Sequence, residues 1–380
     1  MTISSASHIS SKPRVVQILS GDLWAGAENM AVQLIRHLAG QPNYRLTTVL
    51  LNPGPVAAAL RHQEGRVIVM DESRLSFPRM VLLCRRILKD IRPEIVHTHR
   101  YKENLLGYLA TRGSGRNPLL VTTMHGLPEG QGGKSRAVQA LNFFLLARCF
   151  QHCVAVSREM QNRLIDAHQF PPDRISVVHN GIEIPEKRPA GSSCNFTIGA
   201  CGRLCAVKNF GLFVKMAARA AAGRPHIRFV LAGNGPEKPL LQQLCRRHQL
   251  DGLFDLPGHV DDIRSFYKSL DCYVSTSLHE GLPLSVLEAM AAELPVIAPA
   301  VGGLVEIIDD GVDGFLIPGH DPDLFAEKCL ELLAEPERRT TMGRAARRKV
   351  RERFSAERMA SDYDRLYREL IASSGTRREK

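Results

Sequence analysis

Short apolar runs alternate with amphipathic stretches along this 380-residue chain. Val15-Val16-Gln17-Ile18-Leu19 is too short for a stable helix and too apolar for an exposed loop, so it reads as a buried strand. It ends in a loop holding Gly21 and Gly26, and a helical period follows from about residue 28 to 38. The strand signal returns at 46–51, 67–70, 95–97, 119–123, 154–156 and 175–178, with a helical stretch through 80–89. Strands separated by helices imply βαβ units and a parallel sheet.

After 178 the pattern breaks. Residues 184–193 contain Pro, Lys and Gly without periodicity and read as an interdomain linker. The series then restarts with Thr197-Ile198-Gly199-Ala200, an Ala-rich helix over about 210–222, and strands near 228–232, 254–256, 272–275 and 295–298. The tail, 337–371, is charged and helical. The expected fold class is α/β: two Rossmann-like doubly wound domains, 1–185 and 186–355, facing across a cleft, with a C-terminal helix over 356–380. Ligands of such sheets bind beyond the carboxyl ends of the strands, so the informative residues should sit in loops just after strands.

Composition narrows this only a little. No run approaches the roughly 20 apolar residues that span a bilayer. Residues 1–13 are polar and Ser-rich, without the apolar core of a secretory signal, and read as a leader ahead of the first strand. Nine Cys are scattered without the His partners of a zinc site; Cys149/Cys153 and Cys201/Cys205 have helical spacing only, so buried thiols in a reducing cytoplasm are expected. Charge changes the picture more. The net +11 sits mainly in residues 1–185, where 22 Lys and Arg face 13 Asp and Glu. That half suits an acidic partner: an anionic membrane surface, a phosphate-bearing acceptor or nucleic acid. Solubility alone would account for the charge equally well.

Two loops of the second half carry chemistry. Gly199-Ala200-Cys201-Gly202-Arg203-Leu204-Cys205-Ala206-Val207-Lys208-Asn209 follows that half's first strand. Arg203 and Lys208 in one glycine-bearing loop before a helix start suit a diphosphate, whose charge they offset as it leaves. A solvated basic loop is the alternative. His279-Glu280-Gly281-Leu282-Pro283-Leu284-Ser285-Val286-Leu287-Glu288 follows the strand at 272–275. Glu280 lies in the loop and Glu288 about two turns into the next helix. Each carboxylate can accept hydroxyl hydrogen bonds from a sugar or ribose. A loop carboxylate beside a salt-bridged helix Glu is the alternative. The Asp261-Asp262 pair reads as a helix opening rather than a cation site.

Arg203…Lys208 followed by Glu280-x7-Glu288 resembles the donor site of family-4 retaining glycosyltransferases (glycosyl transferases group 1) of the GT-B fold. Further pieces fall in the family's order across nearly the whole chain. They are Gly21-Asp22-Leu23-Trp24-Ala25-Gly26-Ala27-Glu28, His125-Gly126, Val178-His179-Asn180-Gly181-Ile182-Glu183, Ala232-Gly233-Asn234-Gly235-Pro236, Gly302-Gly303-Leu304-Val305-Glu306 and Asp310-Gly311-Val312-Asp313-Gly314. Two departures stand out: Ala25-Gly26 where the family often has Gly-Gly, and Glu183 where it has Asp.

The resemblance implies roles. Arg203 and Lys208 would bind the donor diphosphate. Glu280, aided by the amides that follow in the run Gly281-Leu282-Pro283, would hold hydroxyls of the transferred sugar. Glu288 would hold the ribose. Gly26 would let its loop approach donor phosphate and acceptor, and His125 would contact the sugar near the reacting centre. His97 and His99 also follow a strand, without the same loop context. Retention of the donor's anomeric configuration by a front-face route, a UDP-sugar donor, no metal or other cofactor, and a last helix crossing back to the first domain are further implications.

A basic helix offers a membrane face. At about 100° per residue over 79–92, Met80, Leu83, Ile87 and Ile91 cluster on one side. Arg79, Arg85, Arg86, Lys89 and Arg92 fall on the other, with Leu82 among them. The stretch 134–150 is a second candidate. The expected location is cytoplasmic, peripheral on the inner face of the cytoplasmic membrane, with a glycan or lipid-linked acceptor of polysaccharide or lipopolysaccharide biosynthesis. The alternatives are a GT-B nucleotide-sugar epimerase, which needs no acceptor, a glycosidase using Glu280 and Glu288, and a basic nucleic-acid-binding protein. No aromatic–basic platform or recognition motif favours the last, and no nucleic acid is expected.

Overall fold

The computed structural model describes residues 12–22, 24, 26–61, 65–115, 117–126, 133–168, 170–186 and 195–378. Most of the leader, Ala25 and residues 187–193 of the expected linker lie outside the described residues. The chain forms two compact units. One comprises Met1–Ala155, Leu164–Ser176 and Ala360–Lys380; the other comprises Val156–Arg163 and Val177–Met359.

In the first unit seven strands form one sheet: β1 (Arg14–Leu19), β2 (Arg45–Leu50), β3 (Arg66–Val69), β4 (Ile95–Thr98), β5 (Leu119–Met124), β6 (His152–Ala155) and β7 (Ile175–Val177), in the order β3-β2-β1-β4-β5-β6-β7. β1 pairs in parallel with both β2 and β4, so the sheet is extended in opposite directions from this point. Helices cover its faces, which is why Val15, Val16, Ile18 and Leu19 are all buried. Gln17 is buried among them, and its amide is used later.

The second unit repeats the plan with β8 (Phe196–Cys201), β9 (Ile227–Ala232), β10 (Phe254–Gly258), β11 (Cys272–Val274), β12 (Val296–Pro299) and β13 (Gly314–Ile317). Its order is β10-β9-β8-β11-β12-β13, and every neighbouring pair is parallel. The reversal falls between β8 and β11. The core is built on the rings of Phe213, Phe229 and Phe254, with centroids 5.4–6.3 Å apart.

The charged tail forms two helices, Pro336–Arg353 and Ala356–Arg378, the second starting where the C-terminal helix is expected. The break docks the run Asn180-Gly181-Ile182: Ile182 donates its N–H to the Phe354 carbonyl at 3.0 Å and accepts from Ala356 N–H at 2.9 Å. A Cβ on Gly181 would lie 2.4 Å from the Ser355 carbonyl oxygen, so this approach requires glycine. From Ala360 onward the last helix belongs to the first unit, where Tyr363 and Tyr367 are fully buried.

Helix Phe77–Ile91 buries Met80, Cys84 and Leu88, so its inward stripe is turned from the expected Met80, Leu83, Ile87, Ile91 line. Arg85 therefore leaves the basic face: its guanidinium donates to the Leu109 carbonyl at 3.0 Å. Asp262 caps helix Ile263–Lys268, accepting from Ser265 N–H at 3.0 Å, as expected of a helix opening. The described cysteines are free thiols. Among the described residues no helix is long and apolar enough to cross a membrane.

Candidate active site

The two loops that leave β8 and β11 meet where the second sheet changes direction. After β8 the chain turns at Gly202, whose φ of 149° is open to glycine, passes Arg203, and enters a single 3-10 turn, Ala206–Lys208. Arg203 is exposed and Lys208 half-buried. After β11, Thr276 Oγ1 donates to the Lys208 carbonyl at 2.8 Å and Leu278 N–H to the Val207 carbonyl at 2.8 Å. These bonds bring Glu280 to Lys208. Lys208 Nζ lies 2.5 Å from Glu280 Oε1, which also accepts from Ser277 Oγ at 2.6 Å. Cys201, Lys208, Phe210, Ser277, Glu280 and Ser285 line a narrow hollow at this point.

Glycine pairs hold each loop from behind. A Cβ on Gly233 would sit 1.9 Å from the Gly202 carbonyl oxygen, and one on Gly235 2.3 Å from that of Leu204. A Cβ on Gly302 would sit 2.1 Å from the Glu280 carbonyl oxygen, and one on Gly303 1.9 Å from that of Gly281. Backbone therefore packs on backbone, and Gly303 N–H donates to the Glu280 carbonyl at 3.0 Å. Buried Asn180 adds a third support, donating Nδ2–H to the Leu282 carbonyl at 2.8 Å. Pro283 then opens helix Leu284–Ala291, its missing N–H harmless there.

Glu288 lies on that helix. Its Oε2 accepts from the Tyr267 hydroxyl at 2.9 Å. Burial raises its pKa to about 7, against the lowering effect of the Tyr267 bond. The carboxyl can thus gain or lose a proton near neutrality. A sugar or ribose hydroxyl can donate to its charged form and accept from its neutral form.

In the first unit, the ends of β1, β4 and β5 gather a different set of groups. His125 follows β5, and its Nε2 lies 3.2 Å from His99 Nδ1. His99 Nε2 lies 2.9 Å from Gln17 Oε1. His97, which lies inside β4 rather than after it, is fully buried between Tyr367 and Thr123. Burial and then the Arg100 charge push His99 down to about 3. Burial, with neighbouring His99, holds both His97 and His125 well below the ordinary imidazole range. Beside them Arg100 pairs with buried Glu28 at 2.6 Å, and buried Glu103 accepts from Ser20 Oγ at 2.8 Å. Burial raises the Glu103 pKa. Gly26 opens helix Gly26–Ala39, where a Cβ would meet nothing within 4 Å.

Comparison with known proteins places this geometry. Residues 24–185 match the family described as Glycosyltransferase Family 4, and residues 195–335 the family described as Glycosyl transferases group 1. The chain is a group 1 glycosyltransferase of family 4. An Escherichia coli UDP-Gal:alpha-D-GlcNAc-diphosphoundecaprenol alpha-1,3-galactosyltransferase is 25% identical over 388 residues, 96% of this chain and 98% of its own. The D-inositol 3-phosphate glycosyltransferase of Thermobispora bispora is 28% identical over 324 residues, 78% of this chain and 75% of its own. Among solved structures, Anabaena Alr3699/HepE in complex with UDP and glucose matches with a TM-score of 0.82 at 19% identity, covering 93% of this chain and 99% of that one. The fold of this glycosyltransferase is GT-B.

Within the glycosyltransferase, Arg203, Lys208, Glu280, Gly281, Leu282, Pro283 and Glu288 lie in one unit; Lys208 and Glu280 are in contact, Arg203 lies in the loop after β8, Gly281, Leu282 and Pro283 follow Glu280 after β11, and Glu288 lies on the next helix beside Tyr267. His125 and Gly26 lie in the other unit. Sequence reasoning missed the parts played by Tyr267, Ser277 and Gln17. Tyr267 lies in a short helix and Gln17 inside a strand, and neither position distinguishes them from core residues. The glycine pairs were visible as motifs, but their backbone contacts are a property of the folded chain.

Proposed function

We propose that this glycosyltransferase moves a hexosyl unit from a UDP-sugar, with retention of configuration, to a hydroxyl of a lipid-linked cell-envelope glycan. The observation that carries the donor half is the contact of Lys208 with Glu280 at the reversal of the second sheet, with Arg203 in the same loop. A diphosphate entering there would take Lys208 and Arg203 as counter-charges and release Glu280 to the hydroxyls of the sugar. Two fixed cations would supply the charge stabilisation that a metal gives elsewhere, and no metal or cofactor is invoked. Glu288 would hold the ribose. Gly26 would leave room for phosphate, and His125 would meet a sugar hydroxyl.

Retention is proposed by the front-face route. Glu280 Oε1 is already held by Lys208 and Ser277, which disfavours it as an attacking nucleophile. The leaving phosphate would then help to take the proton of the acceptor hydroxyl. The UDP donor and the lipid diphosphate acceptor are supported by the name of the 25% identical relative. Basic surface on the first unit supports a peripheral site on an anionic membrane face.

Calorimetric titration with UDP, GDP, ADP and their common sugar conjugates tests the reading. Selective binding of UDP and a UDP-sugar, lost in Lys208→Ala, is expected. Absence of binding by a folded wild-type chain would remove the donor-site assignment. Steady donor conversion without any acceptor would replace transfer with epimerisation.

A further inference from the structure

Behind His125 runs a chain of buried polar side chains. From His125 Nε2 it passes to His99 Nδ1 at 3.2 Å, and from His99 Nε2 to Gln17 Oε1 at 2.9 Å. Gln17 Nε2 donates to the Tyr367 hydroxyl at 3.0 Å, and that oxygen lies 2.6 Å from His97 Nδ1. His97 Nε2 lies 2.8 Å from Thr123 Oγ1, itself 2.7 Å from the Tyr363 hydroxyl. Gln17, His97, Thr123, Tyr363 and Tyr367 are fully buried and His99 nearly so. Each proton must therefore be accounted for within the chain.

An amide oxygen only accepts, so His99 Nε2 carries a proton. His99 is neutral near pH 7, which leaves its Nδ1 as a bare lone pair. The contact with His125 is then a hydrogen bond only if His125 Nε2 is the donor. His125 is neutral as well, so its Nδ1 is bare, buried and without a partner among the described residues. On the other arm, Tyr367 accepts from Gln17 and spends its one proton on His97 Nδ1. His97 Nε2–H then donates to Thr123. The chain could run backwards only if the Gln17 amide turned and every ring changed tautomer together. That would bury an unpaired N–H at His125, a rarer defect than an unpaired acceptor.

We propose that Tyr367, Gln17 and His99 are positioning residues that hold His125 as its Nε2–H tautomer, so that His125 Nδ1 accepts a hydrogen bond from a carbohydrate hydroxyl. The C-terminal helix thereby sets the chemistry of the loop after β5, and His125 orients a hydroxyl rather than protonating a leaving group. The tautomer is a property of the folded chain and is read without substrate. The kinetic consequence rests on the transferase reading, so each can fail alone.

Two-bond ¹H–¹⁵N correlation of the full chain labelled at histidine nitrogen tests this, with His125 assigned by loss of its signals in His125→Phe. A bare Nδ1 and a protonated Nε2 are expected for the wild type; a protonated Nδ1 overturns the assignment. Tyr367→Phe removes the hydroxyl that fixes the Gln17 amide. It should give a tautomer-averaged His125 and a roughly tenfold lower kcat with UDP affinity unchanged. Gln17→Met cuts the same link from the strand side and carries the same expectation if Tyr367→Phe does not fold. A singly protonated, unaveraged His125 in the folded variant overturns the relay.

Discussion

The two units reverse their sheets at equivalent places, β1/β4 and β8/β11, and furnish those places differently. Beyond β8 and β11 stand a lysine, a glutamate 2.5 Å away and an exposed arginine. Beyond β1, β4 and β5 stand neutral imidazoles tied to an amide and a tyrosine, with the Arg100–Glu28 pair beside them. A shared strand order locates a crevice but does not decide its chemistry. That is decided by the few residues following each strand and by what supports them. Backbone-on-backbone glycine contacts support the charged end, and buried side-chain hydrogen bonds support the neutral one. Charge suits an anionic diphosphate, while oriented neutral acceptors suit hydroxyls.

The sharpest way to break this contrast is to remove one kind of group at a time. Lys208→Ala and Arg203→Ala should each lower transfer by roughly 10²–10³-fold, the scale of losing one donor to developing charge. Both should also weaken UDP binding. His125→Phe should lower transfer yet leave UDP affinity within about twofold, because its group is assigned to hydroxyls. Parallel calorimetry and steady-state kinetics separate the cases. If His125→Phe weakens UDP as strongly as Lys208→Ala, the division of labour is wrong.

Glu288 offers a pH test of the charged end. Its folded pKa, about 7, lies above the ordinary carboxyl value, so the native state binds more protons between roughly pH 4.5 and 7. Its contribution to stability is therefore greatest at low pH and is lost as pH rises through 7. Glu288→Gln, which cannot ionise, should flatten the fall in stability across that window by about 3 kcal/mol. Urea unfolding at several pH values reads it. An unchanged pH slope would mean that Glu288 titrates normally. The same variant should weaken UDP binding roughly tenfold by loss of a ribose contact.

Much of the charged end was legible because its residues follow one another closely. Arg203 and Lys208 share a loop, and Glu280 and Glu288 share a loop and helix. The α/β pattern was legible for a related reason, since strands buried on both faces are short apolar runs. The neutral end was legible only as single residues, His125 and Gly26, named through the family resemblance; the side chains that support His125 were not. His99 and His125 are 26 residues apart, and Gln17 and Tyr367 are 350 apart, so only the fold brings them together. Helix Phe77–Ile91 shows a subtler limit. Periodicity showed an amphipathic helix but set its inward stripe one position off, because Cys84 packs as an apolar residue and Arg85 reaches a backbone carbonyl.

That correction defines the smallest expected effect. Arg79, Leu82, Arg86 and Lys89 are exposed on this helix. Leu141 and Phe144 are exposed on helix Gly133–Cys149, where the Arg148 guanidinium lies 5.7 Å from the centre of the Phe144 ring. Both helices pack on helix Tyr101–Thr111, so cations and large apolar groups belong to one layer of the first unit. If this layer rests on anionic lipid, each exposed cation contributes about 1 kcal/mol near the surface. Arg86→Gln and Lys89→Gln should then each weaken binding to anionic vesicles about fivefold, less at high salt, with UDP affinity unchanged. Arg85→Gln should instead leave vesicle binding intact and lower stability by about 1 kcal/mol, because it removes a partly buried hydrogen bond. Equal effects of all three on vesicle binding would mean that the layer is read only as diffuse charge. No effect from Arg86 or Lys89 would take the helix out of the membrane proposal and leave Leu141 and Phe144 as its remaining support.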